Sequence, residues 1–297
     1  MKLRIEKSGY HWFDRVSGLH ILDDRVRPEV GVASIAPRTL SVALSNACDL
    51  KCHFCYRPKN GNRLPPEFVQ EIARVADALG TLEITFGGGE PLLYRELDFV
   101  CEWIWRNTSL AISMTTHGHW MSREVISRLK GRLSSIRFSI DGPEPYYSAI
   151  RGRSLASLTE NIRAIGGAIP FGVNVVVSPG HVAELRAVAE IAVDIGAGDL
   201  LIIPEHDRGR PLLSVEEWRE VGVIIAEYQP LLSLSATFEA IRHLTCSFLE
   251  TERDGEFSFA HISASGELRR NSYELGGILV SDSDRLGEYF CQLQAGG

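Results

Sequence analysis

The stretch Cys48-Asp49-Leu50-Lys51-Cys52-His53-Phe54-Cys55 places three of the chain's six cysteines on one short loop. Three sulfurs spaced four and then three residues apart can converge on one metal centre. An iron–sulfur cluster held by three thiolates keeps one iron open to an outside ligand. Two alternatives remain open: three unrelated core cysteines, or a zinc site in which His53 is the fourth ligand.

Composition limits what the rest of the chain can be. With 297 residues, 44% of them hydrophobic, it can fold as one barrel-sized domain or as two smaller ones. The net charge of −7 gives no basic footprint for nucleic acid, and no apolar run reaches membrane-spanning length. The charged start, Met1 to Lys7, lacks the apolar core of a signal peptide. We therefore expect a cytoplasmic protein with no nucleic-acid or membrane partner, whose clustered cysteines bind metal and form no disulfides.

From Arg38 onward, short apolar runs alternate with helical windows. Six runs are predicted as strands: 40–44, 82–86, 111–115, 136–140, 173–177 and 200–204. The helical windows between and after them cover 65–79, 94–107, 122–130, 155–168, 181–196 and 214–227. This alternation predicts parallel strands buried on both faces. Six units fall short of the eight that close a barrel.

Glycines and polar residues follow the predicted strand ends. Gly88-Gly89-Glu90 follows the second strand, Thr116-His117-Gly118 the third, and Ser139-Ile140-Asp141-Gly142 the fourth. Reactive groups gather at the carboxyl ends of parallel strands. Glycine lets the backbone approach a ligand closely, and a carboxylate can accept from an ammonium group. We therefore expect these motifs to share one site with the cysteine loop, residues 48–55.

Together these motifs resemble the radical SAM superfamily, whose signature is Cys-x3-Cys-x2-Cys with an aromatic residue, here Phe54, before the last cysteine. The resemblance implies an α/β fold, an open partial (β/α)6 TIM barrel at 38–230. A short N-terminal extension at 1–37 and a small α+β remnant of a SPASM-type domain at 231–297 would flank it. The extension is either a short hairpin that covers one end of the barrel or a substrate-facing flap with His11 or Arg15.

The resemblance also implies the cofactors. Cys48, Cys52 and Cys55 would hold a [4Fe-4S] cluster whose open iron chelates S-adenosylmethionine (SAM). An electron donor such as flavodoxin or ferredoxin would supply the electron that cleaves SAM to a 5′-deoxyadenosyl radical. The remaining cofactor-binding positions would be Phe54, Gly88, Gly89, Glu90, Thr116, Ser139, Arg151, Asn174 and Ile203.

Several of these positions keep an alternative interpretation. Arg151 pairs a ligand carboxylate or forms a structural tie, and Asn174 contacts the SAM ribose or makes a structural hydrogen bond. Ile203 flanks the adenine or fills the core. His117 stands where the family has Asn, so it either has a side-chain role or only fits the turn. Asp141 is expected to cap a turn.

The C-terminal segment departs from the SPASM pattern, because Asn271 stands near an expected ligand cysteine. We therefore expect no auxiliary cluster. Without one, redox-neutral outcomes are favoured: epimerisation, with Cys246 or Cys291 as hydrogen donor, or intramolecular cyclisation.

The preferred substrate is a peptide modified in natural-product maturation. The alternatives are a small molecule, such as a sugar, nucleoside or amino acid, and a non-catalytic protein of the same fold. Residues 205–208 are candidates for substrate contacts. A peptide substrate predicts an open cleft or an exposed strand edge near residues 1–37 and 255–271.

Overall fold

A computed structural model of the chain describes residues 1–29, 31–207, 210–237, 240, 243–244 and 257–295. Its N-terminal segment forms a three-stranded antiparallel sheet, one strand more than the expected hairpin. The strands are β1 (Lys2–Ile5), β2 (Tyr10–Asp14) and β3 (Leu19–Asp23), with β2 in the middle.

Six parallel strands follow and confirm the six predicted units. They stand side by side in chain order: β4 (Thr39–Ser45), β5 (Glu83–Gly88), β6 (Ala111–Thr116), β7 (Ser135–Ser139), β8 (Phe171–Val177) and β9 (Asp199–Pro204). The helices that follow them are α1 (Pro66–Ala78), α2 (Leu97–Asn107), α3 (Arg123–Leu129), α4 (Tyr146–Arg151), α5 (Leu155–Arg163), α6 (Ala183–Asp194) and α7 (Val215–Tyr228). In the described ranges, no helix is long and apolar enough to cross a membrane.

The sheet extends beyond these six strands at both ends. After a small hairpin of β10 (His206–Asp207) and β11 (Arg210–Pro211), strand β12 (Ser233–Ala236) adds parallel to β9. At the other end lie β13 (Phe259–Ile262), β14 (Glu267–Arg269) and β15 (Ile278–Leu279), and β13 runs parallel to β4. Helix α8 (Leu286–Ala295) follows. Among the described residues, β12 and β15 end the sheet without pairing to each other, so the barrel is open as predicted.

The polarity of the side chains alternates across the central strands, although β4, β6 and β8 are buried on both faces as expected. Leu40 and Val42 of β4 and Phe138 of β7 belong to one apolar core that packs against the helices. The residues between them, such as Ser41 and Ser139, line an internal cavity. The strands are therefore apolar on their outer face and mainly polar on the face that lines the cavity.

The N-terminal sheet covers the amino ends of the barrel strands. Phe13 packs with Leu82 and Ala111, which lie at the starts of β5 and β6. Arg4 Nη1 donates to Gly80 O (2.8 Å), and Arg15 Nη1 donates to Thr108 O (2.7 Å) in the loop before β6. The opposite, carboxyl end of the barrel carries the cysteine loop.

Candidate active site

The interior of the barrel is one cavity of about 1530 Å³. Typical ligand pockets measure roughly 300–1,000 Å³, so this cavity has room for a cofactor and a substrate together. The structure brings all the predicted cluster and cofactor positions to its wall: Cys48, Cys52, Phe54, Cys55, Gly88, Gly89, Glu90, Thr116, Ser139, Arg151, Asn174 and Ile203.

The cysteine loop leaves the carboxyl end of β4. Cys52 is buried, whereas Cys48 and Cys55 are partly exposed, and all three are free thiols on the cavity wall. Arg57 holds the loop by donating to Asn46 O (2.7 Å) and Leu50 O (3.2 Å). Burial raises the pKa of the Cys48 and Cys52 thiols. Three soft thiol ligands facing one space fit an iron–sulfur cluster with an open coordination position.

The glycine run brings β5 against this loop. A Cβ on Gly89 would lie 2.6 Å from Ala47 C and 2.9 Å from Asn46 C, inside normal contact distance. In its place, Gly89 N donates to Ser45 O (2.7 Å) and Glu90 N to Ala47 O (2.8 Å). The glycines were expected to let the backbone approach a ligand closely. In the structure, this close approach is to the backbone of the cysteine loop.

Glu90 is fixed by neutral donors. It is only 2% exposed. Its Oε1 accepts from Thr116 Oγ1 (2.7 Å) and from Leu92 N (3.0 Å), and its Oε2 accepts from His117 N (3.0 Å). Thr116 thus lines the cavity, and its hydroxyl holds the Glu90 carboxylate in place.

His117 also forms contacts through its ring, so of its two interpretations the side-chain role is the one observed. Its Nε2 lies 3.0 Å from Asp49 Oδ1 and 3.3 Å from Glu90 Oε2. Asp49 belongs to the cysteine loop. His117 therefore links the loop after β4 to the ends of β5 and β6.

Arg151 is paired inside the protein. Its Nε donates to Asp141 Oδ2 (2.6 Å), and Asp141 Oδ1 accepts from Val176 N (3.1 Å). Asp141 is thus an ion-pair partner, and the expected turn-capping role does not describe it. The Arg151 guanidinium also lies 5.6 Å from the centre of the Phe54 ring. Of the two interpretations of Arg151, the structural tie is the one observed.

Ser139 and Asn174 stand at paired positions of β7 and β8. The Asn174 Oδ1 atom accepts from Arg137 Nη1 (3.0 Å), which uses the carbonyl of the amide in a structural hydrogen bond. Both side chains line the cavity. The Asn174 amide nitrogen and the Ser139 hydroxyl are polar groups that these two strands offer to a ligand, beside the Arg137 guanidinium, which is paired with Asn174 and Asp199.

The C-terminal segment forms one wall of the cavity. The rings of Tyr273 and His206 stack with centroids 4.3 Å apart, and Tyr56 contacts Tyr273 edge-on at 5.0 Å. Asn271 Oδ1 accepts from Tyr273 N (2.9 Å) and Glu274 N (3.0 Å). The asparagine near the expected cysteine position therefore stabilises a turn in this wall.

The floor of the cavity includes histidines of the N-terminal sheet. His11 Nε2 and His20 Nδ1 are 2.8 Å apart, and both residues line the cavity. Arg15 lies elsewhere, stacked on Trp105 at 3.8 Å. The extension therefore covers one end of the barrel, and His11 belongs to the part that faces the cavity.

Of the two candidate hydrogen donors, only Cys291 lies in the described part of the chain, and it does not line this cavity. Cys291 is exposed and lies in a separate groove with Ile35 and Leu79. Cys246 lies outside the described residues. Among the candidates for substrate contacts, Glu205 and His206 line the cavity, and Arg208 lies outside the described residues.

Sequence reasoning missed two residues of the site, Asp49 and Arg57. Their signal was position, since one lies between the first two cysteines and the other two residues after the third.

Comparison with known proteins gives one family. The model of the radical SAM superfamily matches residues 42–191. Among curated proteins, the chain is 27% identical over 168 residues to a probable GTP 3′,8-cyclase of Methanocaldococcus jannaschii, covering 54% of this chain and 56% of that protein. It is 28% identical over 207 residues to a GTP 3′,8-cyclase of Corynebacterium glutamicum, covering 64% and 54%. The chain spans about half the length of the curated relatives it matches.

Solved structures share the fold at low sequence identity. Streptococcus suis SuiB bound to its precursor peptide SuiA superposes with a TM-score of 0.77 at 13% identity, covering 99% of this chain and 88% of SuiB. The enzyme anSMEcpe with bound AdoMet superposes with a TM-score of 0.62 at 14% identity, covering 86% and 84%. At these identities, the likeness concerns the fold.

Proposed function

The chain belongs to the radical SAM superfamily, and from that premise we propose that it abstracts hydrogen from a peptide. It is a radical SAM enzyme, and its cofactors are a [4Fe-4S] cluster and SAM. When bound, these cofactors supply a 5′-deoxyadenosyl radical, and the protein supplies binding, orientation and exclusion of water. An external one-electron donor such as flavodoxin or ferredoxin completes the system.

Cys48, Cys52 and Cys55 are proposed as the cluster ligands. We expect about four iron atoms per chain after reconstitution, as one [4Fe-4S] cluster requires. Alanine at any of the three positions should abolish iron loading. Cys101→Ala is the control, because this buried thiol lies in α2 and not on the cavity wall. Full iron in all three loop variants would refute the assignment.

For SAM, we propose that Glu90 accepts from the amino group and that the Ser139 hydroxyl and Asn174 amide contact the carboxylate or ribose. Ile203, at the end of β9, would flank the adenine. Arg151 is already neutralised by Asp141 at 2.6 Å, so its proposed part is to hold Phe54 and the cavity wall in place.

One observation supports a peptide substrate, namely the unpaired edge of strand β3. Within the described residues β3 pairs only with β2, so its other edge has unpaired backbone groups. Leu19, Ile21 and Leu22 are exposed along it, while His20 and Leu22 also line the cavity. An extended peptide can add to such an edge through main-chain hydrogen bonds. It would then run beside the part of the cavity that His20 and Leu22 line.

A purine nucleotide is the second candidate, because the curated relatives are named GTP cyclases. A triphosphate needs cations that are free to pair with it. Three cavity arginines are already engaged: Arg38 by Glu6, Arg137 by Asp199 and Arg151 by Asp141. The cavity wall also carries Lys7, Arg57, Arg210 and Arg270, so the choice of a peptide rests on the edge of β3 and not on charge. We propose epimerisation or carbon-centred crosslinking of the peptide as the outcome, and crosslinking, which removes two hydrogen atoms, also requires an electron acceptor.

The test is anaerobic turnover of the reconstituted enzyme with SAM and a reductant. Deuterated synthetic peptides encoded by neighbouring genes are compared with deuterated GTP, and deuterium is measured in 5′-deoxyadenosine. We expect transfer from a peptide. Transfer from GTP alone would refute the peptide proposal.

A matched pair of variants tests the β3 edge. Leu22→Lys should weaken peptide use at least about tenfold, because charged side chains block strand addition. Val223→Lys on α7 is the control, since both residues are 62% exposed in the wild type. Equal peptide use by the two variants would remove β3 from the proposal.

A further inference from the structure

The ring of His117 lies between two carboxylates. Its Nε2 is 3.0 Å from Asp49 Oδ1 and 3.3 Å from Glu90 Oε2, and its side chain is only 4% exposed. Asp49 follows Cys48 directly, and Glu90 follows the glycine run. The imidazole thus joins the cysteine loop to the carboxylate proposed for SAM.

Hydrogen bonding orients this ring. The backbone N–H of His119 donates to His117 Nδ1 (3.2 Å), so Nδ1 is an acceptor in this arrangement. The Nε2 atom lies between Asp49 and Glu90, and its N–H is shared by the two carboxylates.

The two carboxylates differ in their remaining partners. Asp49 Oδ2 accepts from Arg153 Nη2 (2.8 Å) and from Trp120 Nε1 (3.2 Å), so a cation balances its charge. The other donors to Glu90 are Thr116 Oγ1 and two backbone N–H groups, all of them neutral. In the described part of the chain, no lysine or arginine lies within ion-pair distance of Glu90. Glu90 is thus held firmly and keeps its negative charge uncompensated.

We propose that His117 is a positioning residue that reserves Glu90 for the ammonium group of SAM. A buried carboxylate surrounded by neutral donors gains more from an incoming cation than one that is already paired, because water screens neither charge. The ring fixes Glu90 in place through one N–H, which it shares with Asp49. Through Asp49, the same ring sets the distance between the amino-binding carboxylate and the cysteine loop. This inference rests on the SAM-binding role proposed for Glu90.

Three substitutions of His117 distinguish the effect of positioning Glu90 from the effect of charge beside Glu90 on SAM binding. His117→Gln keeps a neutral donor at similar reach and should change the SAM dissociation constant less than about threefold. His117→Phe removes the donor and should weaken SAM binding about 10- to 100-fold, the range for lost hydrogen bonds to charged groups. His117→Lys keeps a donor but places a cation beside Glu90, and it should weaken binding about tenfold or more. A role limited to tying the loop would leave His117→Lys close to the wild type.

The readouts are SAM affinity by equilibrium dialysis, iron per chain, and the electron paramagnetic resonance change of the reduced cluster on adding SAM. His119→Gln is the control, since its ring contacts Tyr147 (2.9 Å) and neither carboxylate. Wild-type affinity in His117→Lys at full iron load would overturn the charge argument, and wild-type affinity in His117→Phe would overturn the positioning role. If the fully loaded wild type binds no SAM, the Glu90 assignment fails and takes this inference with it. If all variants bind SAM equally well, only this inference fails.

Discussion

Two alanine substitutions in the glycine run should have different effects, because Gly87 and Gly89 differ in the space available for an added Cβ atom. A Cβ on Gly89 would lie 2.6 Å from Ala47 C, whereas one on Gly87 meets nothing within 4 Å. Neither glycine has a positive φ, so the difference between Gly87→Ala and Gly89→Ala is one of space alone.

The expected cost follows from that clearance. Carbon atoms pack at about 3.5–4.0 Å, so Gly89→Ala must push the cysteine loop away by about 1 Å. Such overpacking costs about 1–3 kcal/mol. The shift also strains the bonds from Gly89 N to Ser45 O and from Glu90 N to Ala47 O, each worth about 0.5–1.5 kcal/mol. We expect Gly89→Ala to lower the unfolding free energy by about 2–6 kcal/mol and to reduce iron loading.

Gly87→Ala should leave stability within about 0.5 kcal/mol of the wild type, as surface-like substitutions do. Its added methyl enters the cavity, since Gly87 lines it, so SAM or substrate binding should weaken instead. The assays are urea unfolding of the apoprotein, iron per chain and SAM affinity. Equal stability and iron content in the two variants would refute the steric account of the run.

Two further predictions concern buried charged groups. Arg151→Met leaves the buried Asp141 carboxylate without its partner and should lower the unfolding free energy by about 3–5 kcal/mol. The control is Arg163→Met, which breaks an exposed ion pair and should lower it by under about 1 kcal/mol. Similar urea midpoints for the two variants would contradict this prediction. Burial lowers the pKa of His261 to about 3, with Arg269 contributing. The unfolded chain therefore takes up a proton below pH about 6.5 that the folded protein refuses, and stability falls as the pH drops. Between pH 7.5 and 5, His261→Gln should lose about 2 kcal/mol less stability than the wild type, with exposed His181→Gln as control; parallel pH profiles would contradict it.

The sequence was sufficient for the parts of the fold that repeat. Each central strand is a short apolar run followed by a turn and a helical window, so the six units were predictable from local pattern. The site was predictable for the same reason, since carboxyl ends of parallel strands meet on one side. Cys48, Glu90, Ser139 and Asn174 are distant in sequence, and strand order alone brings them to one cavity.

The parts that were not predictable depend on contacts between distant segments. Nothing local indicates that β13 pairs parallel with β4, because that pairing joins residues more than 200 positions apart. The role of His117 was hidden for the same reason, since Asp49 is 68 residues away. Asn271 looked like a missing ligand, and its turn-forming role needs the backbone geometry of residues 273 and 274.

The family match covers most of the residues proposed to bind the cofactors but not the segments proposed to bind the substrate. The family match ends at residue 191 and begins at residue 42, so it contains the cysteine loop, Glu90 and Asn174. It excludes β3, whose His20 lines the cavity floor, and the wall formed by Tyr273 and its neighbours. Membership of the family therefore supports the cofactor chemistry and carries little information about the substrate. That information lies in the segments outside the match, and the exposed edge of β3 is the strongest reason to look for a peptide.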